Sequence, residues 1–171
     1  MHRPIAKKEM SVVAEEVMEL DEDTQKDKYL TFFIGKEIYG IDIRLVTEII
    51  GIQPITEIPE VPEYVKGIIN LRGKIIPVMD VRLRFKKEFL AYNDRTCVIV
   101  IEAHEIALGL IVDGVAEVLR IGEENIVPPP EIRASQNKYI KAIGKTGNEV
   151  NLLLDCDKLL SDQDEAAIVD L

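Results

Sequence analysis

Residues that could perform catalysis or bind a metal are few in this chain and stand apart from one another. The two histidines are His2, near the N-terminus, and His104, which has no cysteine or carboxylate cluster at metal-ligand spacing around it. The three serines lie outside any nucleophile-elbow pattern, and no glycine-rich phosphate-binding motif occurs. The sequence therefore predicts a protein that is not an enzyme and holds no cofactor or metal, with His104 as a solvated loop residue.

The composition is typical of a globular protein of the cytoplasm. Cys97 and Cys156 lie far apart in apolar runs and form no CxxC pair, which predicts two buried, reduced thiols. The net charge is −10, but residues 28–160 carry 17 basic and 19 acidic side chains, so the excess acid lies at the two ends. A body without a dense basic surface argues against nucleic acid as a partner. No apolar run reaches the ~20 residues that span a bilayer, which argues against membrane insertion, and no secretory signal pattern is visible.

One stretch, residues 67–82 (GIINLRGKIIPVMDVR), places a positively charged side chain where a partner could meet it. Its two β-branched runs flank Arg72-Gly73, a pattern that predicts two strands and a tight turn. Arg72 would then lie at an exposed tip, either as a docking point or simply as a residue that keeps the turn soluble. Pro77 cannot donate to a sheet ladder, so the second strand is expected to lie at a sheet edge or to bend there.

The segments around this stretch read as short β-strands separated by turns and prolines. Predicted strands cover residues 29–34, 37–43, 46–52, 96–102, 106–112, 115–121, 139–144 and 149–155. Asp113-Gly114 is a strong signal for a two-residue hairpin between two of these strands. Residues 156–171 are acidic, with apolar side chains at helical spacings, and predict a short C-terminal helix.

The two halves of the chain also resemble each other, which indicates a duplication. Gly40-Ile41-Asp42-Ile43 with Val46, Glu48 and Ile49 matches Gly109-Leu110-Ile111-Val112 with Val115, Glu117 and Val118 at an offset of 69. Tyr64, Lys66, Ile68 and Asp80 match Tyr139, Lys141, Ile143 and Asp155 at an offset of 75. Each half is too small for a comfortable core of its own, so we expect two lobes that share a core. Short strands that curl into small barrels would also remove free sheet edges.

The duplication favours a strand at residues 46–52 after a turn at 42–45. Strict alternation along that strand divides its side chains into two faces, Val46, Glu48 and Ile50 on one and Thr47 and Ile49 on the other. Because both faces hold apolar residues, one of them is expected to be exposed and to mark a partner site.

Taken together, these motifs closely resemble the CheW family of chemotaxis coupling proteins. The similarity rests on NLRGKIIPVMDVR with YGIDI upstream and VDGVAEVL downstream, and it covers about residues 28–160. It implies a mainly β fold of two intertwined SH3-like antiparallel β-barrel lobes, about 28–92 and 93–160, which share a core and carry short helices. Residues 1–27 and 161–171 would be acidic extensions, the first of them either solvated or docked on the body as a helix.

The resemblance also implies a function, that of an adaptor without enzymatic activity. Such a protein bridges the cytoplasmic tips of chemoreceptors to the regulatory domain of the histidine kinase CheA at receptor arrays. The family's receptor-facing groove would involve Val46, Glu48, Val115 and Val118, and the kinase-facing surface would include Arg72, with Gly67 as a backbone hinge. Under this interpretation Arg72→Ala or Val46→Asp leaves the fold intact and weakens one partner.

A second class of function stays open at this point. A groove between the two lobes could make the chain a small-ligand-binding module, although the sequence offers no phosphate loop for it. Clear thermal stabilisation of the protein by one ligand would favour this alternative.

Overall fold

The chain forms two β-sheets with a few short helical segments, which confirms the mainly β prediction. The computed structural model describes residues 25–130 and 138–159, so the predictions for residues 1–24 and for the segment after Leu159 lie outside the described residues. The helices are α1 (Val81–Arg84) and α2 (Cys156–Leu159), with 3-10 turns at Ile43–Leu45 and Glu123–Asn125. The strands are β1 (Lys28–Ile34), β2 (Glu37–Asp42), β3 (Val46–Gly51), β4 (Val65–Leu71), β5 (Lys74–Asp80), β6 (Cys97–Ala103), β7 (Ile106–Val112), β8 (Gly114–Arg120), β9 (Ile126–Val127), β10 (Ile140–Thr146) and β11 (Glu149–Leu154).

Each sheet combines strands from both halves of the chain. One sheet has the order β8-β1-β2-β11-β10-β9, and the other has the order β3-β6-β7-β5-β4. The hairpin β1–β2 therefore pairs with strands of the second half, and the hairpin β6–β7 pairs with strands of the first. Each of these hairpins has one parallel neighbour, β2 with β11 and β7 with β5, where only antiparallel pairing was expected. The ranges 28–92 and 93–160 thus describe repeats of the sequence, while the two β lobes are intertwined.

The repeats correspond strand by strand. β1, β2 and β3 match β6, β7 and β8 at the offset of 69, and β4, β5 and α1 match β10, β11 and α2 at the offset of 75. Gly40 and Gly109 occupy equivalent places in the two parallel pairings. A Cβ at either position would meet a side chain of a neighbouring strand at 3.0 Å or less. Glycine therefore allows the close approach of the strands in both parallel pairings.

Most of the hydrophobic core is shared by the two sheets, as the size of each half requires. The larger cluster takes Leu30, Phe32 and Ile41 from one sheet and Ile99 and Leu110 from the other, all fully buried. Alternate residues of β6 enter two different clusters, so this strand is buried on both faces. The second cluster lies within the five-stranded sheet and consists of Ile69, Ile76, Val78, Val98, Val100 and Ile111.

The side-chain directions of β3 differ from strict alternation. A β-bulge in its pairing with β6 falls between Val46 and Glu48 and shifts the register by one residue. As a result Val46 and Ile49 both enter the shared core, whereas Ile50 packs on the second cluster. The predicted strand is confirmed, but its division into two faces is wrong because the bulge interrupts the period of two.

Asp113-Gly114 does not form the predicted hairpin. Both edges of β7 are already occupied, by β6 and β5, so the chain crosses from β7 to β8 in the other sheet. Asp113 fixes this crossing, because its Oδ2 accepts hydrogen bonds from Gly35 N at 2.6 Å and Arg82 Nη1 at 2.7 Å. The hairpin prediction was wrong because β7 has no free edge for β8, and Asp113 instead binds Gly35 and Arg82 of the first half.

Candidate partner-binding surface

The tight turn between β4 and β5 forms at the predicted place. Leu71 pairs with Lys74, which leaves Arg72 and Gly73 as the turn residues, both at positive φ (52° and 86°). Gly73 N donates a hydrogen bond to Asn70 Oδ1 at 2.8 Å and so closes the turn. The side chain of Arg72 is 71% exposed, which confirms a guanidinium at the tip of the hairpin.

Pro77 predicts that the second strand of this hairpin, β5, lies at a sheet edge or bends there. Instead it lies between β4 and β7. The pairing of β5 with β7 begins only at Val78, so Pro77 lies just outside that ladder. The backbone N–H that proline lacks is therefore not needed for a hydrogen bond to β7. The edge prediction was wrong because the neighbour covers only half of the strand.

Arg72 forms an ion pair with a residue 24 positions earlier in the chain. Arg72 Nη2 donates to Glu48 Oε2 at 2.5 Å, and this hydrogen bond raises the pKa of Arg72. The two residues come from β3 and the tip of β4, the outer strands of the five-stranded sheet, so the sheet curls until these strands meet. Glu48 and Arg72, which the resemblance assigned to two different partners, therefore lie on one surface.

Apolar side chains extend this surface inwards between the two outer strands. Ile50 on β3 and Leu71 on β4 are half-buried and pack on the second core cluster. We refer to Glu48, Ile50, Leu71 and Arg72 as the Glu48–Arg72 surface. Charged groups around half-buried apolar side chains are the usual composition of a protein contact. Ile75, on the other face of the same hairpin, is 53% exposed and lies outside this surface.

Gly67 lies where another segment of the chain crosses β4. Its φ is 146°, at a β-bulge in the pairing of β4 with β5. A Cβ at this position would stand 2.1 Å from Thr56 O. Thr56 and Ile68 exchange two backbone hydrogen bonds of 2.9 Å at the same place, so the crossing segment is held tightly. Glycine is thus required by a close backbone approach, and the implied role of Gly67 as a hinge remains a prediction.

The three valines assigned to the receptor-facing groove lie against the shared core. Val46 is 8% exposed and Val115 is fully buried, while Val118 is half-buried against the same cluster. Because Val46 is buried, a carboxylate at this position would lose its hydration, so we expect Val46→Asp to destabilise the fold. The implied role of Val46 in partner binding remains a prediction. The bulge that turns Val46 inwards has no signature in the sequence.

A row of aromatic rings at the junction of the two halves was missed by the sequence analysis. Phe32, Tyr39, Phe85 and Tyr139 follow one another with ring centroids 6.0, 5.2 and 5.4 Å apart. The guanidinium of Arg84 lies 5.0 Å from the last ring, in a cation–π contact. Tyr139 had carried a signal as a match in the duplication and Tyr39 as part of YGIDI, but nothing in the sequence indicated that these rings meet. The row joins Phe85, the residue after α1, to Tyr39 of the first half and Tyr139 of the second.

The cysteines are buried thiols, as predicted. Cys97 is 3% exposed and Cys156 is 4% exposed. Burial raises the pKa of Cys97 to about 11 and that of Cys156 to about 12, so both carry their proton at neutral pH. His104 lies in the turn between β6 and β7 with about half of its side chain exposed, and its Nε2 is 3.1 Å from Asp157 Oδ1. The prediction of a solvent-accessible loop histidine is confirmed.

A small cleft lies between the segment after α1 and strand β7, and it bears on the ligand-binding alternative. Its volume is about 160 Å³, below the roughly 300–1,000 Å³ usual for small-molecule sites. Its polar groups already bind one another: Arg82 pairs with Asp113 at 2.7 Å, and Tyr92 Oη donates to Asp80 Oδ2 at 2.8 Å. The cleft therefore offers little to a ligand.

Residues 25–130 and 138–159 include neither a cluster of metal-binding side chains nor a membrane-spanning helix. No group of three or more histidine, cysteine, aspartate or glutamate side chains there is arranged to hold a metal ion. In the same part of the chain, no helix has the length and apolar character needed to cross a membrane.

The fold defines the class of this protein, a mainly β module of two intertwined lobes. The family model described as the CheW-like domain matches residues 28–164, and the chain belongs to that family. It is 39% identical to the chemotaxis protein CheW of Klebsiella aerogenes over 90% of this chain and 93% of that one. It is 33% identical to the chemotaxis protein CheW of Treponema pallidum, over 83% and 86% of the two chains.

A solved structure agrees with this assignment. The crystal structure of the scaffolding protein TtCheW from Thermoanaerobacter tengcongensis matches with a TM-score of 0.75 and 37% identity, over 81% of this chain and 94% of that one. The family and its scaffolding member indicate a chemotaxis adaptor, a role that is not catalytic.

Proposed function

We propose that this chain couples the cytoplasmic tips of methyl-accepting chemoreceptors to the regulatory domain of the histidine kinase CheA. Its membership of the CheW-like family supports an adaptor role in chemotaxis. The observation that carries the proposal is the ion pair between Arg72 and Glu48, which sets an exposed cation beside half-buried apolar side chains. In this role the protein acts in the cytoplasm, at receptor arrays on the inner face of the membrane, through residues 28–160.

The contact residues divide between the two lobes. Glu48 and Arg72 share one surface, so we assign them to a single partner, the receptor. Two strands with apolar side chains between them and charges at the rim suit the apolar face of an amphipathic helix. The resemblance implied the reverse, with Arg72 facing the kinase and Val118 facing the receptor. Because we give the Glu48–Arg72 surface to the receptor, we assign the kinase to the other lobe, on the side of Val118. Val46, Gly67 and Val115 then contribute by holding the strands in place.

The coupling proposal is tested by the ATP-dependent autophosphorylation of the cognate CheA together with a receptor cytoplasmic fragment. We expect phosphorylation to rise only when kinase, receptor fragment and this protein are all present. Arg72→Ala should remove most of that rise and weaken capture of the receptor fragment, while capture of the kinase stays unchanged. Lys145→Ala changes an exposed cation next to the corresponding turn of the other lobe and serves as the control. No rise with folded components would reject coupling.

A charge exchange separates a structural role of the ion pair from direct contact with the receptor. Glu48→Arg combined with Arg72→Glu keeps opposite charges at the two positions and so keeps an ion pair between the strands. If the pair only holds the strands together, the double variant regains receptor binding that each single variant loses. We expect no such rescue, because the receptor contacts the guanidinium at the hairpin tip directly.

A further inference from the structure

Two large apolar side chains are exposed side by side in the segment that joins α1 to β6. Phe89 is 53% exposed and Leu90 is 47% exposed. Neither belongs to the Glu48–Arg72 surface or to the side of Val118. Together these two side chains form a small apolar patch, which we call the Phe89–Leu90 patch.

The segment that carries this patch is held firmly. At one end Arg82 Nε donates a hydrogen bond to Glu88 O at 3.1 Å. At the other end Tyr92 donates to the buried carboxylate of Asp80. Between these anchors the Phe89 ring lies against Tyr92, with centroids 5.4 Å apart. The patch is therefore presented in a fixed arrangement, which lowers the entropic cost of binding a partner.

The surroundings of the patch are basic, in a protein of net charge −10. Residues 82–95 carry five basic and two acidic side chains. Lys66 adds a further cation, because its Nζ lies 5.0 Å from the centre of the Phe89 ring. The charge of the patch thus favours an occupant that combines apolar side chains with acidic ones.

The chain itself supplies such an occupant close by. Leu159 O accepts a hydrogen bond from Arg84 Nε at 2.7 Å, so the described chain ends beside α1. The residues that follow, 160–171, carry four acidic side chains and no basic one, together with Ile168, Val169 and Leu171. Phe89 is five residues beyond Arg84, at most about 18 Å away, whereas the nine residues from Leu159 to Ile168 reach up to about 30 Å.

We propose that the acidic C-terminal segment, residues 160–171, docks on the Phe89–Leu90 patch of its own chain and covers it. A contact too weak to form between separate molecules suffices here, because a short connection gives the segment a millimolar effective concentration. The acidic N-terminal residues fit less well. Residues 1–24 carry three basic side chains besides seven acidic ones, and the basic surroundings of the patch repel the former.

A tryptophan in the segment reports its docking, because the natural chain has none. Val169→Trp in the otherwise complete chain should emit at a shorter wavelength than the denatured protein and resist quenching by acrylamide. Leu90→Asp in the same protein should move the emission to that of an exposed indole. Lys86→Glu should shift the emission part of the way, because it removes one of the cations around the patch. Salt at 1 M should have a similar effect, because it reduces the Debye length to about 3 Å and so screens these charges. Val150→Asp, at a position that is 53% exposed on β11, should leave the emission unchanged.

Three results would overturn the proposal. The introduced indole could emit as an exposed side chain before any second substitution. It could stay shielded in Leu90→Asp and Lys86→Glu with the circular dichroism unchanged, which would place the segment elsewhere. Shielding that rises with protein concentration would make a second copy of the chain the occupant of the patch.

Discussion

At the scale of single residues, position in the strand and not residue type decides what a side chain can do. Val46 and Glu48 stand two positions apart on β3, yet one enters the shared core and the other binds Arg72 at the surface. The bulge between them separates their directions. Val46 therefore stabilises the shared core, whereas Glu48 remains available at the surface.

The first prediction concerns this buried valine. Val46→Asp should lower the free energy of unfolding by about 3 kcal/mol or more, because the carboxylate loses its hydration and finds no counter-charge. Urea denaturation followed by circular dichroism measures the change. Ile75→Asp is the matched control, since Ile75 is 53% exposed on a strand of the same sheet and should cost less than about 1 kcal/mol. Equal losses in the two variants would mean that Val46 is not in the core.

At the scale of elements, the hairpin β4–β5 is positioned by contacts on both of its sides. Thr56 crosses the outer edge of β4 and exchanges two hydrogen bonds with Ile68, while β7 pairs with part of β5. The hairpin tip then reaches β3 through the ion pair of Arg72. The direction of the guanidinium is thus set by the sheet and by the crossing segment together.

The second prediction concerns that crossing. Gly67→Ala should destabilise the protein by more than about 2 kcal/mol, because the added Cβ would overlap Thr56 O and the backbone has a φ of 146°. Gly51→Ala is the control, since nothing lies within 4 Å of a Cβ built there and its φ is not positive. Thermal unfolding of both variants gives the comparison, and a Gly67→Ala protein as stable as the Gly51→Ala protein would contradict the close approach.

At the scale of the whole molecule, the exchange of hairpins between the two halves makes one folding unit. β1–β2 finds both of its neighbours among strands of the second half, and β6–β7 finds both of its neighbours among strands of the first. The largest core cluster likewise takes residues from both sheets. Neither repeat of the sequence therefore contains the partners of its own first hairpin.

The third prediction follows from this exchange. Fragments 25–94 and 95–171, expressed separately, should each lack the circular dichroism of folded strands, because each leaves four strand edges unpaired and half of the shared core exposed. Mixing the fragments should restore the β signal of the intact chain. A fragment that unfolds cooperatively by itself would show that one repeat is an independent domain.

The sequence by itself determined the strands, the Arg72-Gly73 turn, the buried thiols and the duplication, because each rests on local spacing and residue type. The motif at residues 70–82, together with YGIDI upstream and VDGVAEVL downstream, also sufficed to identify the family. The tertiary structure alone decided which strands pair, since the partners of the two hairpins lie 31 to 113 residues away along the chain. It also decided that Val46 is buried, that Asp113 binds Arg82, and that Arg72 meets Glu48. A bulge shifts the alternation, an occupied strand edge overrules a hairpin signal, and a curled sheet brings distant charges together. None of these three effects depends on neighbours in the sequence.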